Sequence, residues 1–223
     1  MLDVWCGEVV YEEALRWQRL LVAARQADSI DDVVLTLTHD SVYTAGRHAD
    51  LAHNLLADVG VRVVEVERGG DLTYHDPGQL VAYPIVKLND SKAVRSYVEA
   101  LVGACVDTAA SYGLDARGDS DRPGVWVGNA KLAAVGVRVT GGVTMHGLAF
   151  NVDPDLALFQ AGIIPCGIRN AEVCSLASLG LPTTVEDVRR RLVAHLGARL
   201  QRPLQRATPA DLGLTATVAP AGR

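Results

Sequence analysis

This sequence of 223 residues predicts an α+β fold, a mixed and mostly antiparallel sheet packed with helices. Three observations carry that expectation. Apolar residues recur at helical spacing in three well-separated stretches. Short runs of β-branched and apolar residues lie between them. Two glycine-marked hairpins, at Gly128-Asn129 and Gly141-Gly142, follow one another between the second helix and the third. No internal repeat or linker breaks the pattern, so residues 1–223 are expected to form a single domain, with about 203–223 a loosely ordered C-terminal tail.

Composition narrows the function. Apolar residues make up 49% of the chain and charged ones 21%, ordinary values for a folded domain. A net charge of −5 argues against a general nucleic-acid binder. No apolar run approaches the roughly 20 residues needed to span a bilayer. The start, Met1-Leu2-Asp3-Val4-Trp5, lacks the basic and apolar regions of a signal peptide. Cys6, Cys105, Cys166 and Cys174 therefore read as free thiols in a reducing cytoplasm. The histidines are scattered, without metal-binding spacing, and no metal is expected.

The elements follow in order. Residues 11–25 read as a helix: Ala14, Trp17, Leu21 and Ala24 share a face, with Glu12 and Glu13 in the first turn and Arg25 near the end. Residues 31–38 read as a buried strand and 39–48 as a polar turn carrying Tyr43, Arg47 and His48. A short helix is expected over 51–58, stopped by Gly60. The strand 61–68 places Val64, Val66 and Arg68 on one side, so Arg68 is either half of a buried structural ion pair or a site residue. Residues 68–80 hold three glycines and a proline and read as a loop, either a bulged hairpin or a ligand-contacting backbone. It is neither a Walker loop nor a dinucleotide fingerprint. A strand follows over 81–86.

Residues 91–112 form the clearest helix, with Val94, Val98, Leu101, Cys105 and Ala109 as its stripe and Gly113 closing it. A polar connection covers 115–124. In the strand 131–139, Lys131 heads the otherwise apolar face of Ala133, Val135, Val137 and Val139. It either snorkels to water or holds an ammonium beside an anion. Small residues gather here and in the next strand (Ala133, Ala134, Gly136, Gly147, Ala149), leaving room for packed helices or for an apolar ligand. A short turn or helix over 156–159 precedes Cys166. The last helix spans 185–200, with Thr183 and Glu186 as a capping box and Arg189-Arg190-Arg191 as a solvated turn.

Cys166 stands between Pro165 and Gly167, after Ile163 and Ile164. A thiol on so tight a turn can point outward, with the Gly167 and Ile168 N–H groups free to donate to an oxyanion. The alternative is a buried structural cysteine.

Three segments together resemble a known family: Arg68-Gly69-Gly70-Asp71-Leu72-Thr73-Tyr74-His75 with Pro77-Gly78-Gln79-Leu80, then Lys131 to Gly136 leading into Met145 to Ala149, then Pro165-Cys166-Gly167. They resemble the octanoyltransferases of lipoate biosynthesis, from about the first strand to Leu179. The resemblance implies the α+β catalytic domain of the biotin/lipoate protein ligase superfamily. It implies transfer of an octanoyl group from octanoyl-acyl carrier protein to a lysine of the lipoyl domains of 2-oxoacid dehydrogenases and of glycine cleavage H protein. Cys166 would be the acyl-thioester nucleophile, and Lys131 would lower the thiol pKa and assist proton transfer. The stretch Arg68–His75 with Ala134, Val135, Gly136, Gly147, Leu148 and Ala149 would line the acyl and carrier-arm site. No cofactor, nucleic acid or membrane is implied, and the expected form is a cytoplasmic monomer. Arg47, Arg169 and Arg189–Arg191 are candidates for docking the acidic carrier. One departure is Asp76, where glycine is usual. Its carboxylate would favour an imidazolium at His75, compete for Lys131, or face solvent. An ATP-dependent lipoate ligase, a cysteine hydrolase and a non-catalytic acyl-carrier or lipoyl-domain binding module are the competing readings.

Overall fold

The computed structural model describes residues 1–90, 93–119, 124–164 and 172–215. β1 (Leu2–Glu8) leads into α1 (Tyr11–Gln26), β2 (Val33–Thr38), β3 (Val42–Ala45), α2 (Leu51–Asn54), β4 (Val63–Glu65), β5 (Leu72–His75), β6 (Gln79–Ile85) and α3 (Ala93–Ala110). Then come β7 (Ala116–Gly118), β8 (Val125–Val127), β9 (Ala130–Thr140), β10 (Val143–Asn151), α4 (Leu156–Gly162), β11 (Glu172–Val173), α5 (Val185–Arg199) and β12 (Gln205–Ala207). A 3₁₀ turn at Ala210–Leu212 follows.

The described strands form a large sheet in the order β12-β1-β2-β6-β10-β9-β8-β7, with β11 also paired to β9, and a small sheet in the order β4-β3-β5. Pairing is antiparallel from β2 through β7, and parallel where β1 meets β2 and β12 and where β11 meets β9. Strand alternation sorts side chains to two cores. Leu80 and Ala82 of β6 pack with Leu101 and Cys105 of α3 and with Val188, Leu192 and Leu196 of α5. Val81, Tyr83 and Ile85 pack with Trp17 and Leu21 of α1. A third cluster joins Tyr43 and Tyr74 of the small sheet to Phe159 of α4. Among the described residues no helix is long and apolar enough to cross a membrane.

The hairpin turns form where the glycines place them: Gly141 and Gly142 take φ of 55° and 80°, which only glycine adopts without strain. Other expectations are corrected. The polar stretch 39–48 contains β3, and the loop 68–80 contains β5, because β3 pairs with β4 on one side and with β5 on the other. The helix expected over 51–58 stops at Asn54, where Leu55 turns to bridge with Ile163. The polar connection after α3 contains β7, paired to β8. The α5 cap lies one residue later than expected, with Thr184 Oγ1 accepting from Asp187 N at 3.1 Å. The arginine triplet is not one solvated turn. Arg189 is 8% exposed, is paired with Asp3, donates to Thr36 Oγ1 at 2.7 Å and stacks over Trp5. Burying that guanidinium is tolerable because its donors are met by a carboxylate and a hydroxyl.

Candidate active site

A cavity of about 300 Å³ opens between β9 and β10 on one side and the β4–β5 connection, β5 and the start of α1 on the other. Its floor is made by small residues. Ala134 and Gly136 of β9 and Gly147 and Ala149 of β10 face it, with Val135 and Leu148 beside them. Register explains the gathering, since Ala134 lies opposite Ala149 and Gly136 opposite Gly147. Alanines on neighbouring strands keep the floor low, while Gly136 admits the Arg68 side chain and Gly147 the Ala82 carbonyl at close range, so the floor serves both a cavity and close packing.

The roof is the glycine stretch. Gly69 N donates to Val137 O at 3.0 Å, pinning the loop to β9. Gly70, at φ 83°, turns the chain into Asp71, Leu72 and Thr73, all of which line the cavity. Arg68 is buried on the lining. Its guanidinium donates to Thr44 O at 2.7 Å, to Thr44 Oγ1 at 2.9 Å and to Gly69 O at 3.0 Å. Of the stretch 68–75, Tyr74 faces away. Its ring packs on Tyr43 and Phe159, and its hydroxyl donates to Asp76 Oδ1 at 3.0 Å.

Lys131 heads the floor. It is 3% exposed, so it does not snorkel to water, and its Nζ lies 5.6 Å from the Trp126 ring centroid. A buried network supports its backbone. His75 Nδ1 lies 2.8 Å from Gln79 Oε1; because Gln79 Nε2 donates to Asn151 Oδ1 at 2.9 Å, the ring nitrogen is the donor in the first contact. Asn151 Nδ2 in turn donates to Lys131 O at 3.4 Å and to Cys174 O at 2.9 Å.

Four lining residues, Tyr11, His48, Tyr83 and His146, escaped the sequence reading. His146 sits within the motif from Met145 to Ala149, and His48 within the polar stretch 39–48, so both had a local signal. Tyr11 and Tyr83 had none, because only the fold brings α1 and β6 to the same wall. The rings form a cluster: Tyr11 stacks on His75 at 5.7 Å, and His146 meets Tyr83 edge-on at 6.5 Å. Burial holds His39, His75 and His146 neutral. It lowers His39 and His146 to about 4, and it pushes His75 well down, helped by the neighbouring His39. His39 Nδ1 donates to Val9 O at 2.6 Å, so its Nε2 accepts from the Tyr83 hydroxyl at 2.8 Å.

Asp76 does none of the three things anticipated for it. At 8% exposure it accepts from Ser41 Oγ at 2.7 Å and from Tyr74, and its other oxygen accepts from Asp155 N at 2.9 Å. Those contacts lie on the α4 side, and His75 bonds Gln79 instead. Among the docking candidates, Arg47 is exposed next to His48 at the cavity, whereas Arg190 pairs with Asp187 and Arg191 lies over Tyr112. Cys166, Gly167, Ile168 and Arg169 lie outside the described residues.

A buried lysine thus heads a cavity floored by alanine and glycine, roofed by a glycine stretch and walled by tyrosines and histidines. Comparison with known proteins gives the class. Residues 10–197 match the model of the lipoyl protein ligase A/B catalytic domain, and the chain belongs to that family. The fold agrees. The lipoate-protein ligase A structure bound with ATP superposes with a TM-score of 0.77 at 17% identity, covering 93% of this chain and 88% of the other. Biotin protein ligase from Aquifex aeolicus superposes at 0.54 with 11% identity, over 90% of this chain and 69% of the other. Within the family the chain stands with the octanoyltransferases, which makes it an acyltransferase. It is 41% identical over 217 residues to the octanoyltransferase of Thermobifida fusca, covering 91% of this chain and 92% of the relative. It is 43% identical over 185 residues to a mitochondrial octanoyltransferase of Arabidopsis thaliana, covering 78% and 77%.

Proposed function

We propose that this chain takes an octanoyl group from octanoyl-acyl carrier protein and passes it to a lysine of a lipoyl domain through a thioester on Cys166. The lipoyl domains of 2-oxoacid dehydrogenases and glycine cleavage H protein are the acceptors, and a cytoplasmic monomer is the working form. The observation that supports this reading most is the buried Lys131 at the head of the cavity floored by small residues.

The chemistry closes on itself. The resting pair is a Cys166 thiolate with a Lys131 ammonium, and the nearby positive charge favours the ionised thiol over its free value of about 8.5. The thiolate attacks the thioester carbonyl. The C–S bond to the carrier breaks, and the departing carrier thiolate takes the proton of Lys131. The acceptor lysine, as a free amine, then attacks the Cys166 thioester. Its proton passes to Lys131 as the Cys166–carbonyl bond breaks, which restores the thiolate–ammonium pair. The N–H groups of Gly167 and Ile168 serve the oxyanion in both steps. About seven apolar carbons of an octanoyl chain, at roughly 0.8 kcal/mol each, supply about 5–6 kcal/mol of gross attraction in the cavity.

The test is intact mass after mixing with octanoyl-acyl carrier protein in the absence of ATP. The expected result is one octanoyl increment, lost on adding a lipoyl domain and missing in Cys166→Ala. Folded protein that neither gains the increment nor transfers it would overturn the reading. Activity that appears only with ATP and free octanoate would assign the ligase alternative.

A further inference from the structure

α4 and the two residues after it, which precede Pro165 and Cys166 in the chain, are held by the small sheet and the end of α2. Asp155 N, at the start of α4, donates to Asp76. Tyr43 Oη donates to Leu158 O at 2.6 Å, and a side chain at Gly162 would collide with that tyrosine. Beyond the helix the chain runs extended beside the end of α2. Leu56 N donates to Gly162 O at 2.8 Å, Leu55 bridges Ile163, and Ile164 N donates to Asn54 O at 2.9 Å. Ile164 is two positions before Cys166.

Asn54 has a second partner. While its carbonyl holds Ile164, its side-chain Nδ2 donates to Asp71 Oδ2 at 2.5 Å. Asp71 lines the cavity, and its own carbonyl accepts from Gly46 N at 3.2 Å, which anchors it to the small sheet. One residue thus joins the cavity roof, through its side chain, to the approach to the nucleophile, through its backbone. The short helix that carries it cannot place it alone. α2 spans four residues with none buried, and so short a helix is marginal without tertiary ties.

We infer that Asn54 is a positioning residue: its hydrogen bond to Asp71 fixes the segment on which Gly162–Ile164 docks, and so steadies the chain two positions before the proposed nucleophile. The inference rests on the Cys166 reading above. Reacting atoms must lie within about 3–3.5 Å, and a displacement of about 1 Å costs on the order of 100-fold in rate. The role therefore belongs to the chemical step rather than to donor binding.

The test compares single-turnover acylation of Cys166 by octanoyl-acyl carrier protein in the wild type, Asn54→Asp, Asp71→Asn and the exchanged pair N54D/D71N. In Asn54→Asp two carboxylates face each other. Its acylation rate at saturating donor is expected to fall about 30- to 100-fold, with half-saturation and melting temperature little changed. In Asp71→Asn a carbonyl oxygen still accepts from Asn54; because Asp71 also lines the cavity, this variant is the reference against which the exchanged pair is read. The exchanged pair restores the bond with donor and acceptor reversed, and should recover to about the rate of Asp71→Asn. Wild-type acylation in Asn54→Asp, a loss confined to half-saturation, or an exchanged pair as slow as Asn54→Asp while Asp71→Asn is faster would each overturn the inference. If Asn54→Asp does not fold, Asn54→Ala read in the same assay decides, with a roughly 10-fold fall expected and an unchanged rate overturning it. A wild type that forms no adduct fails the Cys166 reading instead, before any variant is compared.

Discussion

The two sides of the large sheet are built from the same strands to opposite ends. On the side of α3 and α5, large side chains close the space: Leu80, Phe150, Leu101 and Leu192 are fully buried. Both cysteines in that core, Cys105 and Cys174, have thiols that burial pushes up. On the other side, opposite the glycine roof, β9 and β10 offer alanine and glycine, and the walls carry buried tyrosines, histidines and Lys131. The side of α3 and α5 spends its burial on stability. The other side has a core of its own under α1 but, between β9, β10 and the glycine roof, keeps a hollow and a set of desolvated polar groups, features that cost stability and suit a ligand. Activity and stability should therefore separate between that hollow and the core of α3 and α5.

The largest break in that contrast is at Lys131. Lys131→Ala should lower transfer by about 100-fold or more while the circular dichroism and melting profile persist, since the loss is a functional amine rather than core volume. Filling the floor is next. Ala134→Leu should cut octanoyl transfer by at least about 10-fold and favour shorter acyl donors, with stability unchanged or raised, because the side chain enters an open cavity. Donor competition assays read this, and undiminished octanoyl transfer would contradict the cavity's role. Across the sheet, Leu101→Ala should do the reverse. A loss of about 3 kcal/mol, seen as a fall of about 6–12 °C in melting temperature, should leave the rate at 25 °C nearly intact.

The neutral histidines sharpen the contrast through pH. His39 and His146 are held near 4 in the folded protein, below the unfolded value of about 6.5, so the unfolded chain binds protons first as pH falls. Their contribution is complete above about pH 6.5. It declines through the acid range toward pH 4, by about 3 kcal/mol for each ring. Denaturant titrations at pH 7.5, 6 and 5 should show this decline, and His146→Phe should flatten it. The smallest expected effect is at Asp76. Asp76→Gly removes the acceptor of Ser41, Tyr74 and Asp155 N and should cost about 1–3 kcal/mol of stability, where an exposed carboxylate would cost nothing measurable.

Much of this was legible in the chain itself, where a signal is local. Helical spacing marks α1, α3 and α5, and paired glycines mark the hairpins that bring β9 and β10 together. Small residues on those two strands foreshadow the cavity, and the glycine stretch its roof. Elements held by distant partners were not legible. β3 and β5 exist because β4, β3 and β5 pair into one small sheet, α2 ends where Leu55 meets Ile163, and Arg189 is buried because Asp3 waits on β1. Neither Tyr11 nor Tyr83 carries a local sign that it will face the same wall as Lys131. Sequence alone determined the periodicities, the turns and the residue types available for chemistry, since each depends on neighbours a few positions away. Only the tertiary structure decided which polar groups are desolvated and what they touch, because burial and hydrogen-bond partners arise when segments far apart in the chain pack against each other.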